Sequence, residues 1–288
     1  MASNRLRLIA TTALATTALL ALGAAVGGYL VLEAGWYSVA ATRQHFQVVH
    51  TLLEKGMHES VRFHARDVVV PPPAGAAQER EQLRRGARLY RRYCEQCHGG
   101  PGVAQHDIGR SMQPLPGPLV DAARRWRPRE LYWITRHGIK MSGMPAWEYR
   151  LADEEMWDIV AFLGRLPLHT AASYREVTAA ADAAESPAPA APPLGAPDAR
   201  RGRIALTQYA CSACHKIPGV TGPDTYVGPP LQGLGRRKYV AGVLPNTPDN
   251  LVRWIRTPQA VDPQTTMPAL GVTERDARDM AAYLLARD

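Results

Sequence analysis

An apolar run near the N-terminus is the first feature of the hydrophobic pattern. Residues Leu8 to Leu32 carry no charge, and as a helix these 25 residues would be about 37 Å long. That length crosses the ~30 Å hydrocarbon core of a bilayer. Arg5 and Arg7 precede the run, so the positive-inside rule places the N-terminus in the cytoplasm and the rest of the chain outside. The pattern predicts a transmembrane anchor, residues 1–33.

A cleaved signal peptide is the alternative interpretation of this run. Signal peptides have apolar stretches of about 7–15 residues followed by a small-x-small cleavage site. The run here is longer, and it shows no convincing site of that kind followed by a polar start. The length favours a retained anchor, and both interpretations export the rest of the chain.

Residues 34–77 are predicted to form an amphipathic helix, over residues 38–66, and a connector. The connector ends in Pro71, Pro72 and Pro73, which cannot continue a helix. Four histidines at positions 45, 50, 58 and 64 do not share one helical face at ligand spacing, which favours solvated or partner-facing side chains over a metal site. The apolar stripe needs a partner, either a domain of this chain or a membrane subunit. It recurs at spacings of three and four: Phe46, Val49, Leu53, Met57 and Val61.

Two later segments, residues 78–170 (domain 1) and 198–288 (domain 2), form an internal repeat. Between them, residues 171–197 are mostly Ala and Pro, which predicts a linker with polyproline character. No segment as long as a β-strand alternates polar and apolar residues, so the sequence predicts an all-α fold. Four features recur in the same order in domain 1 and domain 2. They are a glycine followed four residues later by an apolar residue (Gly86 and Tyr90; Gly202 and Leu206), a helix that starts at a proline (Pro128; Pro248), a Met-Pro pair (residues 144–145; 267–268) and a closing helix (from Asp153; from Glu274).

Composition narrows the function classes. The net charge is +8, and no Lys/Arg run is interleaved with aromatic residues, so nucleic acid is a poor partner. A mildly basic surface suits an acidic protein or an anionic membrane face. All four cysteines lie in two C-x-x-C-H pentads, at residues 94–98 and 211–215, which leaves none for a disulfide or a catalytic thiol.

C-x-x-C-H is the attachment pattern for c-type haem. The spacing lets one helical turn present both thiols to the vinyl groups, with the histidine under the iron. A thioredoxin-like motif needs a βαβ setting, and a zinc ribbon needs its Cys pairs about 15–20 residues apart, whereas 113 residues separate these pairs. We therefore predict two covalent haem c groups, attached through Cys94, Cys97 and His98, and through Cys211, Cys214 and His215.

Methionines at matched positions are candidates for the second axial ligand. Met as the sixth ligand gives an electron-transfer haem of raised potential. Met144 lies 46 residues after His98 and Met267 lies 52 after His215. Each precedes a proline and follows small residues, although core packing is the commoner fate of methionine. In domain 1, Met141 is a rival for Met144.

The chain here resembles the class I cytochrome c family, most closely in residues 228–234 (GPPLQGL) and 251–258 (LVRWIRTP). The resemblance implies that the Pro229 carbonyl accepts a hydrogen bond from His215, that Arg237 lies near the haem propionates, and that Trp254 lies on the methionine side. A core aromatic is an equal alternative for Trp254. In domain 1 the corresponding proline is open among Pro114, Pro116 and Pro118.

The layout of an anchor and two such domains resembles membrane-bound two-haem cytochromes associated with haem–copper oxidases. Residues 35–67 and 138–147 also resemble that group, and residues 243–248 resemble the cytochrome domain fused to subunit II of some of these oxidases. The resemblance implies a periplasmic electron carrier in a bacterial inner membrane, without a small-molecule substrate, whose partner is an oxidase core or another respiratory complex. A cytochrome subunit of a periplasmic dehydrogenase stays open as an alternative. A dihaem peroxidase is disfavoured, since it needs an open iron site.

Overall fold

The computed structural model describes residues 2–73, 75–183 and 194–286. Its internal contacts divide the chain into two compact units, residues 1–185 and 186–288. The first unit contains α1 (Ala2–Glu33), α2 (Gln47–Ala65), α3 (Ala76–Tyr93), α4 (Glu95–His98), α5 (Asp107–Arg110), α6 (Ala122–Arg125), α7 (Pro128–His137), α8 (Asp153–Arg165) and α9 (Ala171–Ala183). The second contains α10 (Ala199–Gln208), β1 (Tyr239–Val240), β2 (Leu244–Pro245), α11 (Pro248–Arg256), α12 (Pro258–Val261) and α13 (Glu274–Leu285). The all-α prediction is confirmed.

Helix α1 covers the apolar run, and its described side chains are exposed except for the half-buried Val31. Its segment Asn4–Glu33 is long and apolar enough to cross a membrane. The helix ends at Glu33, and Gly35, two residues further on, has a φ of +65°, the left-handed conformation common after a helix C-terminus. The Trp36 N–H then donates to the carbonyl of Val31 at 3.1 Å, which satisfies a carbonyl of the last turn.

The amphipathic helix is shorter than predicted. Helix α2 begins at Gln47, not at residue 38, and its N-terminal side carries no side-chain cap. Its second half packs against α7, where Val61 and Ala65 are buried. The apolar stripe therefore finds a partner in domain 1 over this half of its length.

Domain 1 is built on a crossing of its first and last long helices, α3 and α8. A Cβ placed on Gly86 would lie 2.1 Å from the carbonyl oxygen of Asp158, so only glycine lets the two backbones approach this closely. The neighbouring Arg85 donates to both oxygens of the buried Asp158 carboxylate at 2.7 and 3.1 Å. Below the crossing lies an apolar core that includes Tyr90, Met156 and Phe162.

Domain 2 repeats this crossing with α10 and α13. A Cβ on Gly202 would lie 1.9 Å from the carbonyl oxygen of Asp279. The Arg201 side chain donates to the buried Asp279 carboxylate at 2.8 Å. The repeated glycine predicted from the sequence thus marks the same helix contact in both domains.

Polar caps and prolines define the helix starts of domain 2. The Asp198 side chain accepts from the N–H groups of the first turn of α10, and Thr247 and Thr273 do the same for α11 and α13. Pro248 stands in the first turn of α11, as Pro128 does in α7. The predicted proline starts are therefore confirmed in both domains.

The structure differs from the sequence-based expectation in two further places. Residues 171–183, which we expected to be extended linker, form α9, and this helix packs on α3 with Tyr174 buried. The predicted linker therefore begins later, and its residues 184–193 lie outside the described part of the chain. The other difference is a two-residue antiparallel pairing of β1 with β2, which is too short to produce a recognisable alternation.

Candidate haem-binding sites

The first pentad forms a single helical turn at the end of α3. The Cys94 N–H still donates to the Tyr90 carbonyl of α3 at 2.8 Å, and the His98 N–H donates to the Cys94 carbonyl at 2.9 Å. Both thiols are free. The turn therefore presents two thiols and an imidazole from one rigid element.

The second pentad forms a comparable turn after α10. The His215 N–H donates to the Cys211 carbonyl at 3.0 Å, and the Cys214 N–H donates to the same oxygen at 3.3 Å. Ala210, just before the turn, adopts a left-handed φ of 54°. A non-glycine residue in this region is uncommon and marks a constrained approach to the turn.

Each pentad histidine is oriented by a backbone carbonyl. His98 Nδ1 lies 2.7 Å from the Gly117 carbonyl oxygen, and His215 Nδ1 lies 2.8 Å from that of Pro229. A carbonyl only accepts, so Nδ1 carries the proton and Nε2 keeps its lone pair. This tautomer and ring orientation are those of an imidazole that binds a metal through Nε2.

The partner of His98 corrects one expectation. We expected a proline carbonyl, from Pro114, Pro116 or Pro118, and the structure places the carbonyl of Gly117 there. The chain can offer Gly117 because Gln105 holds the loop in place: its Nε2 donates to the carbonyls of Pro116 and Cys97. Sequence reasoning missed Gln105, since an isolated glutamine in a loop carries no recognisable signal.

Burial sets the protonation state of these groups. It lowers the pKa of His98, an effect that the hydrogen bond to Gly117 partly offsets, so the ring is held neutral as a metal ligand requires. Burial also raises the pKa of Cys94 to about 12 and that of Cys211 to about 11. Thiols with such pKa values are poor nucleophiles at neutral pH, which fits attachment points better than catalytic thiols.

Tyrosine hydroxyls support the chain beside each pentad. In domain 1 the Tyr90 hydroxyl donates to the Gly99 carbonyl at 2.7 Å, and the Tyr174 hydroxyl of α9 donates to Glu95 at 2.5 Å. In domain 2 the Tyr283 hydroxyl donates to the carbonyl of Pro218 at 2.6 Å.

These three tyrosines have buried rings and reach loops that follow or belong to the pentads. Sequence reasoning singled out none of them for this role, because an apolar periodic position gives no information about where a hydroxyl points.

The two methionine loops share one local geometry. The N–H of Met144 donates to the hydroxyl of Ser142 at 3.2 Å, and the N–H of Met267 donates to that of Thr265 at 3.3 Å. Met144 and Met267 are half-buried. The rival Met141 is 95% exposed and has a left-handed φ of 58°. Burial therefore favours Met144 over Met141 as a ligand in domain 1.

Arg237 and Trp254 lie in domain 2. The Arg237 guanidinium donates to the carbonyls of Pro230 at 2.5 Å and Gln232 at 3.1 Å, so it braces the loop that carries the histidine's acceptor. Trp254 is half-buried and packs on the core of the domain. Its contacts leave both interpretations open, a core aromatic and a haem neighbour.

The residues of both domains fit covalent haem c. Each offers two thiols on one turn, an imidazole held through Nδ1 whose Nε2 has no hydrogen bond among the described residues, and a half-buried thioether. Gly228 lies flat against the His215 ring, where a Cβ would come within 2.5 Å of Cε1. Imidazole and thioether together are the donor set of electron-transfer haems.

Two histidines of α2 contact tryptophan rings. Across residues 2–73, 75–183 and 194–286, no group of three or more His, Cys, Asp or Glu side chains is arranged to hold a metal ion. His58 and His64 instead lie against the rings of Trp126 and Trp133, at centroid distances of 4.4 and 5.8 Å.

Comparison with known proteins gives a family match in each domain. The family described as "Cytochrome C oxidase, cbb3-type, subunit III" matches residues 81–163, and the family described as "Cytochrome c" matches residues 199–288. "Cytochrome c oxidase subunit 2" of Alkalihalophilus pseudofirmus is 38% identical over 87 residues, which are 30% of this chain and 25% of that protein. The chain thus spans about a quarter of that relative's length.

Cytochrome c domains carry covalent haem c and transfer electrons, and both matched families contain them. The helical fold, the pentads and the oriented histidines agree with these matches. Each of the two domains therefore matches a cytochrome c family, and residues 81–163 match that of an oxidase subunit.

Proposed function

We propose that the protein is a membrane-tethered dihaem cytochrome c, which passes single electrons to a haem–copper oxidase as its subunit or donor. The observation that carries the proposal is duplication of one complete donor set. Each domain has its own pentad, a histidine fixed through Nδ1, and a methionine loop closed on a Ser or Thr hydroxyl. The two family matches and the oxidase relative support the oxidase context.

Bound haem supplies a one-electron couple between ferrous and ferric iron. Cys94 and Cys97, or Cys211 and Cys214, would hold the group covalently. His98 and His215 would bind it through Nε2, in the orientation that their Nδ1 hydrogen bonds fix. Met144 and Met267 would supply a second ligand in each domain and exclude exogenous ligands. Such a His/Met set would suit outer-sphere electron transfer and would leave no open position for peroxidase chemistry.

Helix α1 supports the proposed tether. Arg5 and Arg7 precede its uncharged run, residues 8–32, and by the positive-inside rule this supports a periplasmic location of the domains at a bacterial inner membrane. A shared anchor would keep both domains at high effective concentration near a membrane-bound partner.

The proposal is tested by spectroscopy of the purified full-length protein. We expect a pyridine haemochrome assay to give two haem c per chain. Carbon monoxide added to the reduced protein should leave the spectrum unchanged, because both irons are six-coordinate. One haem per chain, or substantial carbon monoxide binding at either site, would refute the proposal.

The partner is tested separately by gentle solubilisation from native membranes. Co-purification with a haem–copper oxidase core is expected. Recovery with a flavin- or quinone-dependent dehydrogenase would instead support the alternative of a dehydrogenase's electron-accepting subunit. The two classes of haem domain have the same ligands, so only the partner distinguishes them.

A further inference from the structure

Helix α2 has two unlike halves, and its second half is fixed to domain 1. The His58 ring packs on Trp126, and the His64 ring stacks on Trp133 with an interplanar angle of 14°. Val61 is buried in the same contact. Just beyond the helix, the Arg129 side chain donates to the Arg66 carbonyl at 3.3 Å. These contacts hold the helix at a defined place on the domain.

The first half of α2 and the segment before it leave apolar side chains exposed. Phe46 and Leu52 are each 70% exposed, and Leu53 is 56% exposed. Arg43 is the one formally charged residue between positions 34 and 53, whereas acidic and basic residues are mixed from Glu54 onward. An apolar surface with a sparse positive charge and no carboxylate differs from an ordinary solvated helix face.

This exposed surface begins where the apolar span ends. The backbone of Trp36 is hydrogen-bonded to the last turn of α1, through Val31. The next residue, Tyr37, contacts both residues 45 and 46: its hydroxyl bonds His45 Nδ1, and its ring lies 5.9 Å from the Phe46 ring. The chain between the two helices therefore folds back, and α2 starts beside the end of α1.

We propose that the exposed face of residues 36–53 binds the interfacial region of the lipid bilayer, and that α2 thereby seats domain 1 at the membrane surface. The inference rests on the proposed membrane anchor. Trp and Tyr favour the headgroup level, and helices with an exposed apolar face bury it at the headgroup–acyl boundary. Arg43 adds attraction to anionic lipids. Two attachments, the span and this face, would fix the domain rather than leave it on a free stalk.

The test uses the full-length holoprotein in nanodiscs of phosphatidylcholine and phosphatidylglycerol that contain a phospholipid with a photoactivatable acyl chain. After illumination, mass spectrometry maps the labelled residues. We expect labelling of α1 and of residues 46–53, and little at Phe63. Phe63 is the matched control, because it is 56% exposed, like Leu53, and lies on the same helix.

A pair of variants controls for accidental contact with lipid. Leu52→Asp combined with Leu53→Asp should abolish labelling of residues 46–53 and leave labelling of α1 unchanged. Phe63→Asp should change neither. Circular dichroism and the haem spectrum check that each variant folds.

The outcomes separate this inference from the proposed function. Labelled α1 with unlabelled residues 46–53 would overturn the lipid contact and keep the anchor. Absence of label from α1 would overturn the anchor itself. If residues 46–53 cross-link to a protein subunit in native membranes rather than to lipid, the occupant is that subunit and the inference is wrong.

Discussion

Domains 1 and 2 share a helix crossing but support their pentads differently. In each crossing, a glycine packs against the backbone carbonyl of a buried aspartate, and the preceding arginine donates to the carboxylate of that aspartate. The hydroxyl that reaches the loop after the pentad comes from the first helix in domain 1, as Tyr90, and from the last helix in domain 2, as Tyr283. The steric contact at the crossing allows only glycine at that position. A loop carbonyl, in contrast, can accept a hydrogen bond from a hydroxyl on either of the two helices.

The tyrosine and the apolar residue have exchanged positions between the two domains. Leu206 occupies in domain 2 the position of Tyr90, four residues after the crossing glycine, and Phe162 occupies in domain 1 the position of Tyr283. Each domain thus has one tyrosine and one apolar residue at this pair of positions. Domain 1 then adds α9, whose Tyr174 reaches Glu95 within the pentad.

The largest effect on stability is expected from adding a methyl group to either glycine at the helix crossings. Gly86→Ala and Gly202→Ala would each place a methyl group within about 2 Å of a backbone carbonyl, and overpacking of this kind costs about 3 kcal/mol or more. Each variant should unfold its own domain and spare the other. Hydrogen exchange, followed separately in α3 and α8 and in α10 and α13, measures this.

Gly164→Ala is the control for helix propensity. Gly164 lies in α8, where an added Cβ meets nothing within 4 Å, so alanine should stabilise domain 1 by about 1 kcal/mol. If Gly86→Ala behaves like Gly164→Ala, the close approach of α3 and α8 is not present in solution.

The next effect is on reduction potential. Met144→His and Met267→His should each lower the potential of one haem, because methionine ligation raises it and axial ligands set potentials over a range of ~0.8 V. Potentiometric titration of the full-length protein should resolve one shifted and one unshifted centre in each variant. Met141→His is the control and should shift neither; a shift there, with none from Met144→His, would reverse the ligand assignment in domain 1.

Removal of the supporting hydroxyls should have a smaller, domain-specific effect. Tyr90→Phe should destabilise domain 1, and Tyr283→Phe should destabilise domain 2, each by about 1–3 kcal/mol, because a buried or half-buried carbonyl loses its donor. Local hydrogen exchange again assigns the loss to a domain. Tyr239→Phe, at a ring 56% exposed, should leave both unchanged. Equal effects of Tyr90→Phe on both domains would contradict this separation.

The smallest effect is a pH dependence confined to domain 1. Burial lowers the pKa of His169, whose ring lies 5.8 Å from that of Phe162. The unfolded chain therefore binds the proton more tightly, and stability falls as the pH drops below the ordinary histidine value of about 6.5. Denaturation of wild type and His169→Gln at pH 7.5 and 5.5 measures the difference. The variant should lose less stability on acidification, and an identical loss would exclude this role for His169.

Sequence patterns predicted the repeat, the proline-started helices and the pentads because these depend on local chemistry. The crossing glycines were visible as a repeat, but their reason, contact with a carbonyl more than 70 residues away, was not. The Gly117 carbonyl was missed because any backbone can supply an acceptor. Helix α9 was missed because its alanines were grouped with the prolines that follow, although alanine is the strongest helix former.

The burial of Cys94 constrains the order of maturation. Cys94 is 7% exposed in the folded domain, and the closing helix α8 is made later than the pentad. A ligation enzyme acting on the exported chain would therefore meet an accessible thiol only before the closing helix docks. We expect haem ligation in domain 1 to precede closure of the domain, so that a mutation that speeds docking of α8 would lower the yield of mature protein.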